Sequence, residues 1–149
     1  PRLVSSAASD VYKRQTLFHQ KMEEACRPYD ETYYPKFKKR CDEYFYLPHR
    51  NEPRGEGGIF FDYMNTGDWE TDFDFVKDVG RKTLEAITTI VNQHKELSWT
   101  AQEKDEQLLK RGRYVEFNLL WDRGTLFGIK TGGSTEAILM SMPPTVKWA

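Results

Sequence analysis

Cationic side chains and glycines are interleaved in the stretch HRNEPRGEGG, where His49, Arg50 and Arg54 fall within six residues of one another. Guanidinium groups bind carboxylates and phosphates through paired hydrogen bonds, and glycine lets a ligand come close to the backbone. The pattern therefore predicts a binding site for an anionic ligand. The alternatives are a histidine at a helix end and arginines that pair at the surface with Glu52 or Glu56.

A second stretch with binding chemistry, TGGS at residues 131–134, lies between two predicted elements. Backbone N–H groups in such a loop, together with the positive end of the helix that follows, can bind an anion. The alternative is an ordinary strand-to-helix turn, because paired glycines are common in turns. Asp122 and Arg123, which precede this region, can simply pair with each other.

The elements that would position these residues are read from the spacing of apolar side chains. Spacings of three and four predict helices, and alternation predicts strands. The predicted helices are residues 16–26, 33–45, 69–96, 101–112 and 135–142, and the predicted strands are residues 59–64 and 125–130. Residues 114–121 alternate like a strand but can also continue the preceding helix. Because strands and helices do not alternate as βαβ units, we expect an α+β fold with an antiparallel sheet.

The longest predicted helix, residues 69–96, carries apolar residues at helical spacing, which gives it one apolar side. The residues of that side are Phe73, Val76, Val79, Leu84, Ile87, Ile90 and Val91. In a truncated chain, the loss of neighbouring strands is expected to expose sheet edge and apolar surface.

With 149 residues and a formal net charge of −1, the chain has the size of one domain and no overall electrostatic attraction to nucleic acid. A mean hydropathy of −0.75 and the lack of a long apolar run predict no membrane span. Cys26 and Cys41 lack the spacing of a metal site, so we expect reduced thiols that pack inside a cytoplasmic protein. A disulfide between them is the alternative.

Residues 5–15 read SSAASDVYKRQ, which is the translation of one reading frame of a common transposase sequencing adapter. We therefore expect residues 1–15 to be a non-native tail and Thr16 to be an interior position of a longer protein. A native polar N-terminal arm is the alternative. Native sequence is expected over residues 16–149.

Two long motifs carry a family resemblance: HRNEPRGEGGIFFD at residues 49–62, and YVEFNLLWDRGTLFGIKTGGSTEAILMSMPPTVKW at residues 114–148. Both resemble the oxygen-dependent coproporphyrinogen III oxidases of heme synthesis, of the bacterial type. The resemblance extends from about Thr16 to Trp148 and implies that residues 16–149 are the C-terminal half of the oxidase domain. It also implies a fold with a large antiparallel sheet flanked by helices, of which this chain is a truncated part.

The resemblance implies an oxidative decarboxylation of coproporphyrinogen III. Two propionate side chains become vinyl groups, carbon dioxide leaves, molecular oxygen accepts the electrons, and protoporphyrinogen IX and peroxide are formed. No organic cofactor is implied, and the chain carries no dinucleotide, Walker or heme-attachment motif. The family's proton-donating histidine belongs to the N-terminal half. No catalytic residue is therefore expected in this span, and the chain alone is expected to be inactive.

The resemblance also implies the substrate-binding residues. Gly132, Gly133 and Ser134 occupy the family's substrate-contacting loop, and Arg50 and Arg54 are expected to anchor carboxylates of the substrate. Family members usually carry arginine where this chain has Ser134. A serine can cap a helix but cannot neutralise a propionate, so we expect weaker binding unless another cation substitutes.

A divalent metal such as manganese is implied by the positions of His19 and His49, which bacterial relatives use as ligands. Two further histidines of that set would lie upstream of this chain. From spacing alone, His19 is better explained as an ordinary helix histidine, since no metal-binding motif surrounds it. Two imidazoles alone would bind a metal weakly.

The resemblance implies coproporphyrinogen III as the ligand and a homodimer formed through the region from Tyr114 to Trp148. Composition alone favours a monomer core for the same aromatic and methionine residues. A non-catalytic tetrapyrrole-binding, anion-binding or dimerisation module is the alternative function. A phosphate-binding protein that uses the paired glycines is a third.

Overall fold

The computed structural model describes residues 2–148, with side chains from residue 11 onward. This part of the chain is mostly helical and contains one two-stranded antiparallel sheet. The elements in chain order are α1 (Arg2–Cys26), α2 (Tyr33–Tyr44), β1 (Tyr46–Leu47), β2 (Glu52–Pro53), α3 (Trp69–His94), α4 (Ala101–Leu120), α5 (Arg123–Lys130) and α6 (Thr135–Leu139). The chain forms two compact units, described in turn below.

The first unit contains the residues up to Glu43 and Gly58–Leu97, and its core is aromatic. Phe75 of α3 is only 1% exposed. Its ring centroid lies 5.0 Å from that of Phe61 and 5.2 Å from that of Tyr29. Edge and tilted arrangements at these distances stabilise aromatic pairs beyond the burial of their area. Cys26 and Phe37 complete the buried cluster.

Helix α3 confirms the prediction for residues 69–96 within two residues at its end. Its start follows from Asp68, whose side chain accepts hydrogen bonds from the backbone N–H groups of Glu70 and Thr71. Most residues of the predicted apolar side are exposed. Five of the seven residues of that side are exposed by 45–67%: Phe73, Val76, Leu84, Ile87 and Val91. The buried side instead centres on Phe75 and Ala86, so α3 carries apolar residues on two faces.

The second unit contains Tyr44–Gly57 and the residues from Ser98 onward. A short hairpin pairs Tyr46 with Pro53 and Leu47 with Glu52. Asn51 stands in its turn with a φ of 55°, a left-handed conformation that asparagine tolerates better than most residues. The hairpin packs on α4, where Phe117 is 1% exposed, and Leu47 is fully buried.

Helix α4 settles the ambiguity of residues 114–121, because it runs without interruption through Leu120. It begins with a capping box in which Thr100 and Glu103 satisfy each other's backbone N–H groups. Gly112, in its interior, allows the last described segment to pack closely. A Cβ at this position would overlap the carbonyl oxygen of Lys147, whose N–H donates to Leu108 over 3.1 Å.

Both predicted strands were wrong as secondary structure. Residues 125–130 belong to α5, because the Asp122 carboxylate accepts the Thr125 N–H over 2.7 Å and so caps a helix. Residues 59–64 have no regular structure, although the Phe60 N–H donates to the Phe37 carbonyl over 3.1 Å. Among the described residues the only sheet is the short hairpin, so the predicted large sheet is not seen there.

Within residues 2–148, no helix is both long and apolar enough to cross a membrane.

Candidate functional site

Glu116 of α4 is the centre of the charged cluster in the second unit. The Arg50 Nε donates to Oε2 of Glu116 over 2.6 Å, and the Arg50 Nη2 donates to Oε1 over 2.6 Å. This fork-to-carboxylate geometry is the strongest form of a charge-assisted pair. The Glu116 side chain is 11% exposed and that of Arg50 is 25% exposed, so solvent screens the pair only in part.

The pair is ionised at neutral pH. The hydrogen bond from Arg50 holds the pKa of the Glu116 carboxyl below its ordinary value, although partial burial acts in the opposite direction. The carboxylate in turn raises the pKa of the Arg50 guanidinium. Each partner therefore favours the charged form of the other.

His49 lies between Glu116 and Trp121. Its Nε2 is 3.2 Å from Oε2 of Glu116, and the Trp121 Nε1 donates to the His49 Nδ1 over 3.2 Å. The two rings are stacked with their centroids 6.0 Å apart. An indole N–H can only donate, so the His49 Nδ1 must carry the lone pair. The hydrogen is therefore on Nε2, which donates to Glu116.

Arg54 lies against three aromatic rings. Its guanidinium carbon lies 3.9 Å from the ring centroid of Phe45, 4.9 Å from that of Phe117 and 5.0 Å from that of Tyr114. Its Nη1 also donates to the Asn118 side chain over 3.3 Å. Partly desolvated cation–π contacts of this kind fix the position of a cation while leaving its charge in place.

Arg113 belongs to the cluster but was not among the site residues predicted from the sequence. Its Nε donates to Glu52, and its Nη1 lies 3.9 Å from Oε1 of Glu116. That Nη1 is buried without a hydrogen-bond partner among the described residues. The one available signal was Glu116 itself, an acidic residue inside the mostly apolar segment YVEFNLLW. A charge there requires a cationic partner.

The paired glycines end helix α5. The Gly133 N–H donates to the Gly128 carbonyl over 2.9 Å, the Gly132 N–H donates to that of Ile129 over 3.3 Å, and Gly132 has a φ of 72°. This is the Schellman arrangement, for which glycine is the preferred residue. Ser134 then caps α6 by accepting the Ala137 N–H over 3.4 Å. In this arrangement both glycine N–H groups bond to carbonyls of the helix end, and contact with substrate stays a prediction.

The two predicted metal ligands fall in different units. His19 belongs to the first, where its Nδ1 is 3.1 Å from the Tyr34 hydroxyl. His49 belongs to the second, and both its ring nitrogens are engaged, by Glu116 and Trp121. Within the described part of the chain, no group of three or more His, Cys, Asp or Glu residues could hold a metal ion. The described donors therefore do not form a metal site by themselves. The metal stays a prediction.

A family model described as coproporphyrinogen III oxidase matches residues 9–149. The chain belongs to the coproporphyrinogen III oxidase family. It is 61% identical over 132 residues to a protein of Rickettsia bellii (strain OSU 85-389), and the aligned residues make up 89% of this chain and 47% of that relative. It is 60% identical over 137 residues to a protein of Rickettsia africae (strain ESF-5), and here the aligned residues make up 91% of this chain and 49% of that relative.

Both relatives carry the name oxygen-dependent coproporphyrinogen-III oxidase. The resemblance predicted from the two motifs is thus confirmed. The chain spans about half the length of these curated relatives. Family membership does not test the roles of Arg50, Arg54 or the glycine loop, which stay predictions. The same holds for the non-native tail over residues 1–15.

Proposed function

We propose that this chain contributes the C-terminal half of an oxygen-dependent coproporphyrinogen III oxidase. That enzyme would convert two propionates of coproporphyrinogen III to vinyl groups, with loss of carbon dioxide and with molecular oxygen as electron acceptor. The observation that carries the proposal is about 60% identity to two relatives of that name over roughly nine-tenths of this chain. We propose that the chain alone is inactive, because its relatives are about twice as long.

The role proposed for this half is to hold and orient the substrate by its carboxylates. Arg50 and Arg54 supply cations that are fixed in place, one by Glu116 and the other by aromatic rings. Anchoring carboxylates that do not react brings the reacting propionate into position, and this can lower the barrier by several kcal/mol, roughly the scale of other positioning effects. Chemistry at the reacting carbon is assigned to residues outside this chain.

Ser134 is proposed to contact a substrate carboxylate through a neutral hydrogen bond. Its hydroxyl already accepts a bond from the helix it caps, so it would add one donor and no charge. Substrate binding through this loop is therefore proposed to be weaker than in relatives with arginine at the position.

Further structure is proposed for the complete domain. Two features support packing against a larger antiparallel sheet: the second apolar face of α3, with Leu84 67% exposed, and the mostly apolar segment 59–64, which pairs with no strand among the described residues. Exposure of Phe127 by 69% and of Met140 by 82% supports a homodimer formed through residues 114–148.

A chimera tests the proposed function. Residues 16–149 of this chain would replace the corresponding half of the Rickettsia bellii relative, and the product formed from coproporphyrinogen III under air would be separated by chromatography. We expect the divinyl product from the chimera and none from this chain alone. A folded chimera without product, beside an active parent, would contradict the proposal. If that chimera still bound the porphyrin, the non-catalytic binding module would be supported instead.

A further inference from the structure

We propose that Glu116 is a positioning residue that holds Arg50 and His49 as one rigid group. We also propose that His49 acts there as a hydrogen-bond bridge between Glu116 and Trp121. The effect of this arrangement on substrate binding rests on the proposed function. The arrangement itself does not, because it follows from contacts within the second unit.

The anchor of the group is helix α4. Glu116 stands between Val115 and Phe117, which are 7% and 1% exposed, so the helix backbone beneath it is fixed by packing. Its two carboxylate oxygens reach a hairpin loop 66 residues away in sequence and hold the plane of the Arg50 guanidinium through two bonds of 2.6 Å. A long arginine side chain loses much of its rotational freedom in such a pair.

His49 extends the same group by one step. The indole of Trp121 at the end of α4 requires an acceptor at Nδ1, and the Glu116 carboxylate requires a donor at Nε2. Only one neutral tautomer of imidazole satisfies both. The two partners therefore select the same tautomer and hold the ring from opposite sides. This assignment differs from the metal-ligand role expected from the family, because a ligating nitrogen would have to give up one of these bonds.

For the proposed function, the consequence is that Glu116 orients the charged guanidinium of Arg50. Glu116 is not placed to touch substrate in this account, and its effect passes through Arg50. Without Glu116 the guanidinium keeps its charge but loses the two hydrogen bonds to that carboxylate, so more of the binding free energy of a substrate carboxylate would be spent on orienting it. Loss of Glu116 should then raise KM more than it lowers kcat.

The direct test is nuclear magnetic resonance of this chain, labelled with nitrogen-15. In the wild type we expect His49 with an unprotonated Nδ1 and a protonated Nε2, and slow solvent exchange of both the Arg50 Nε–H and the His49 Nε2–H. In Glu116→Ala both exchange rates should rise by about tenfold or more, the scale of one lost hydrogen bond. Glu106→Ala removes an exposed carboxylate of the same helix and should leave both rates unchanged.

Glu116→Gln keeps the shape of the side chain and covers the case in which the alanine variant fails to fold. It should also accelerate exchange of the Arg50 Nε–H, because the charge that holds it is gone. A protonated His49 Nδ1 in the wild type, or exchange rates unaffected by Glu116→Gln, would overturn the proposal.

Kinetics of the chimera separate this inference from the proposed function. Glu116→Gln in the chimera should raise KM about tenfold with kcat nearly unchanged, as expected for loss of binding that ground state and transition state share. Altered exchange rates together with an unchanged KM would support positioning by Glu116 and contradict the substrate role of Arg50. Unaltered exchange rates would contradict positioning whatever the kinetics.

Discussion

The two units of this chain are stabilised by different interactions. In the first, aromatic rings meet around Phe75, and ion pairs such as Lys21–Glu85, with a distance of 2.8 Å, involve partly exposed side chains. In the second, charged groups enter the packed region, where Arg50 pairs with Glu116 and Arg54 lies against Phe45. Apolar packing stabilises in any context, whereas partly buried charge stabilises only if every partner is in place.

The difference shows where function is to be sought. Replacing a buried ion pair with apolar residues is often neutral for stability, so a cluster of cations around one carboxylate is not explained well by folding alone. The second unit contains both arginines predicted to bind substrate, and the first contains neither. We therefore predict that substrate binding by this chain depends on the second unit.

The largest expected loss of stability comes from a substitution in the first unit. Phe75→Ala should lower the free energy of unfolding by about 3–5 kcal/mol, because it empties a fully packed aromatic site. Phe73→Ala, in the same helix but 45% exposed, should lower it by less than about 1 kcal/mol. Urea unfolding followed by circular dichroism measures both. Equal losses in the two variants would contradict the description of the aromatic core.

A matched pair of glycines compares the two units directly. Gly112→Ala in α4 should lower the free energy of unfolding by about 1–3 kcal/mol, because the new methyl group overlaps the Lys147 backbone. Gly80→Ala in α3 meets no atom within 4 Å and should raise it by about 0.5–1 kcal/mol, the helix preference of alanine over glycine. Thermal unfolding of both variants is the measurement, and stabilisation by Gly112→Ala would contradict the packing described.

A third comparison stays within the second unit. Arg54→Met should lower the free energy of unfolding by about 1–2 kcal/mol, because its cation contacts three rings in a partly desolvated site. Arg111→Met removes a cation that lies 4.0 Å from the Tyr114 ring but is exposed, so a loss of about 0.5 kcal/mol is expected. If Arg54→Met is no more damaging than Arg111→Met, the aromatic contacts of Arg54 do not hold it.

The smallest expected effect is a pH dependence of the stability that the Glu116 carboxylate contributes. The folded pKa of Glu116 is lowered by Arg50, so the stability that the carboxylate contributes is present above the ordinary glutamate pKa of about 4.3 and is lost as pH falls through the folded value. Glu116→Gln should therefore be less stable than the wild type at pH 7, and this difference should shrink below about pH 4. Urea midpoints across that range test it. A difference independent of pH would contradict the ionised pair.

The sequence predicted features whose cause is local. The start of α3 follows from the side chain of Asp68, and the family follows from two long motifs, since both depend on residues close together in the chain. The strand predicted for residues 125–130 failed because alternation is ambiguous over six residues, and the cap at Asp122 decided for a helix. The glycine loop between Lys130 and Thr135 likewise proved to be a helix stop.

Features with long-range causes were not predictable. Arg50 and Arg54 were recognised as cations, but Glu116 lies 66 residues from Arg50, and no spacing rule connects them. Glu52, one of the two surface partners predicted for these arginines, accepts a hydrogen bond from Arg113, which was not among the predicted site residues. Which face of α3 is buried was not predictable, because the helix is apolar on two faces, and composition cannot decide which face its own chain covers.

The central claim is that cations of the second unit bind the carboxylates of a tetrapyrrole. Titration of this chain with coproporphyrin III, the oxidised porphyrin that keeps the four propionates, tests it most directly through the fluorescence of the ligand. We expect Arg50→Ala to weaken binding by about tenfold or more, the loss of one charge-assisted anchor. Arg27→Ala, which removes an exposed cation of the first unit, should leave Kd unchanged. Equal Kd values for the wild type and both variants would contradict the account.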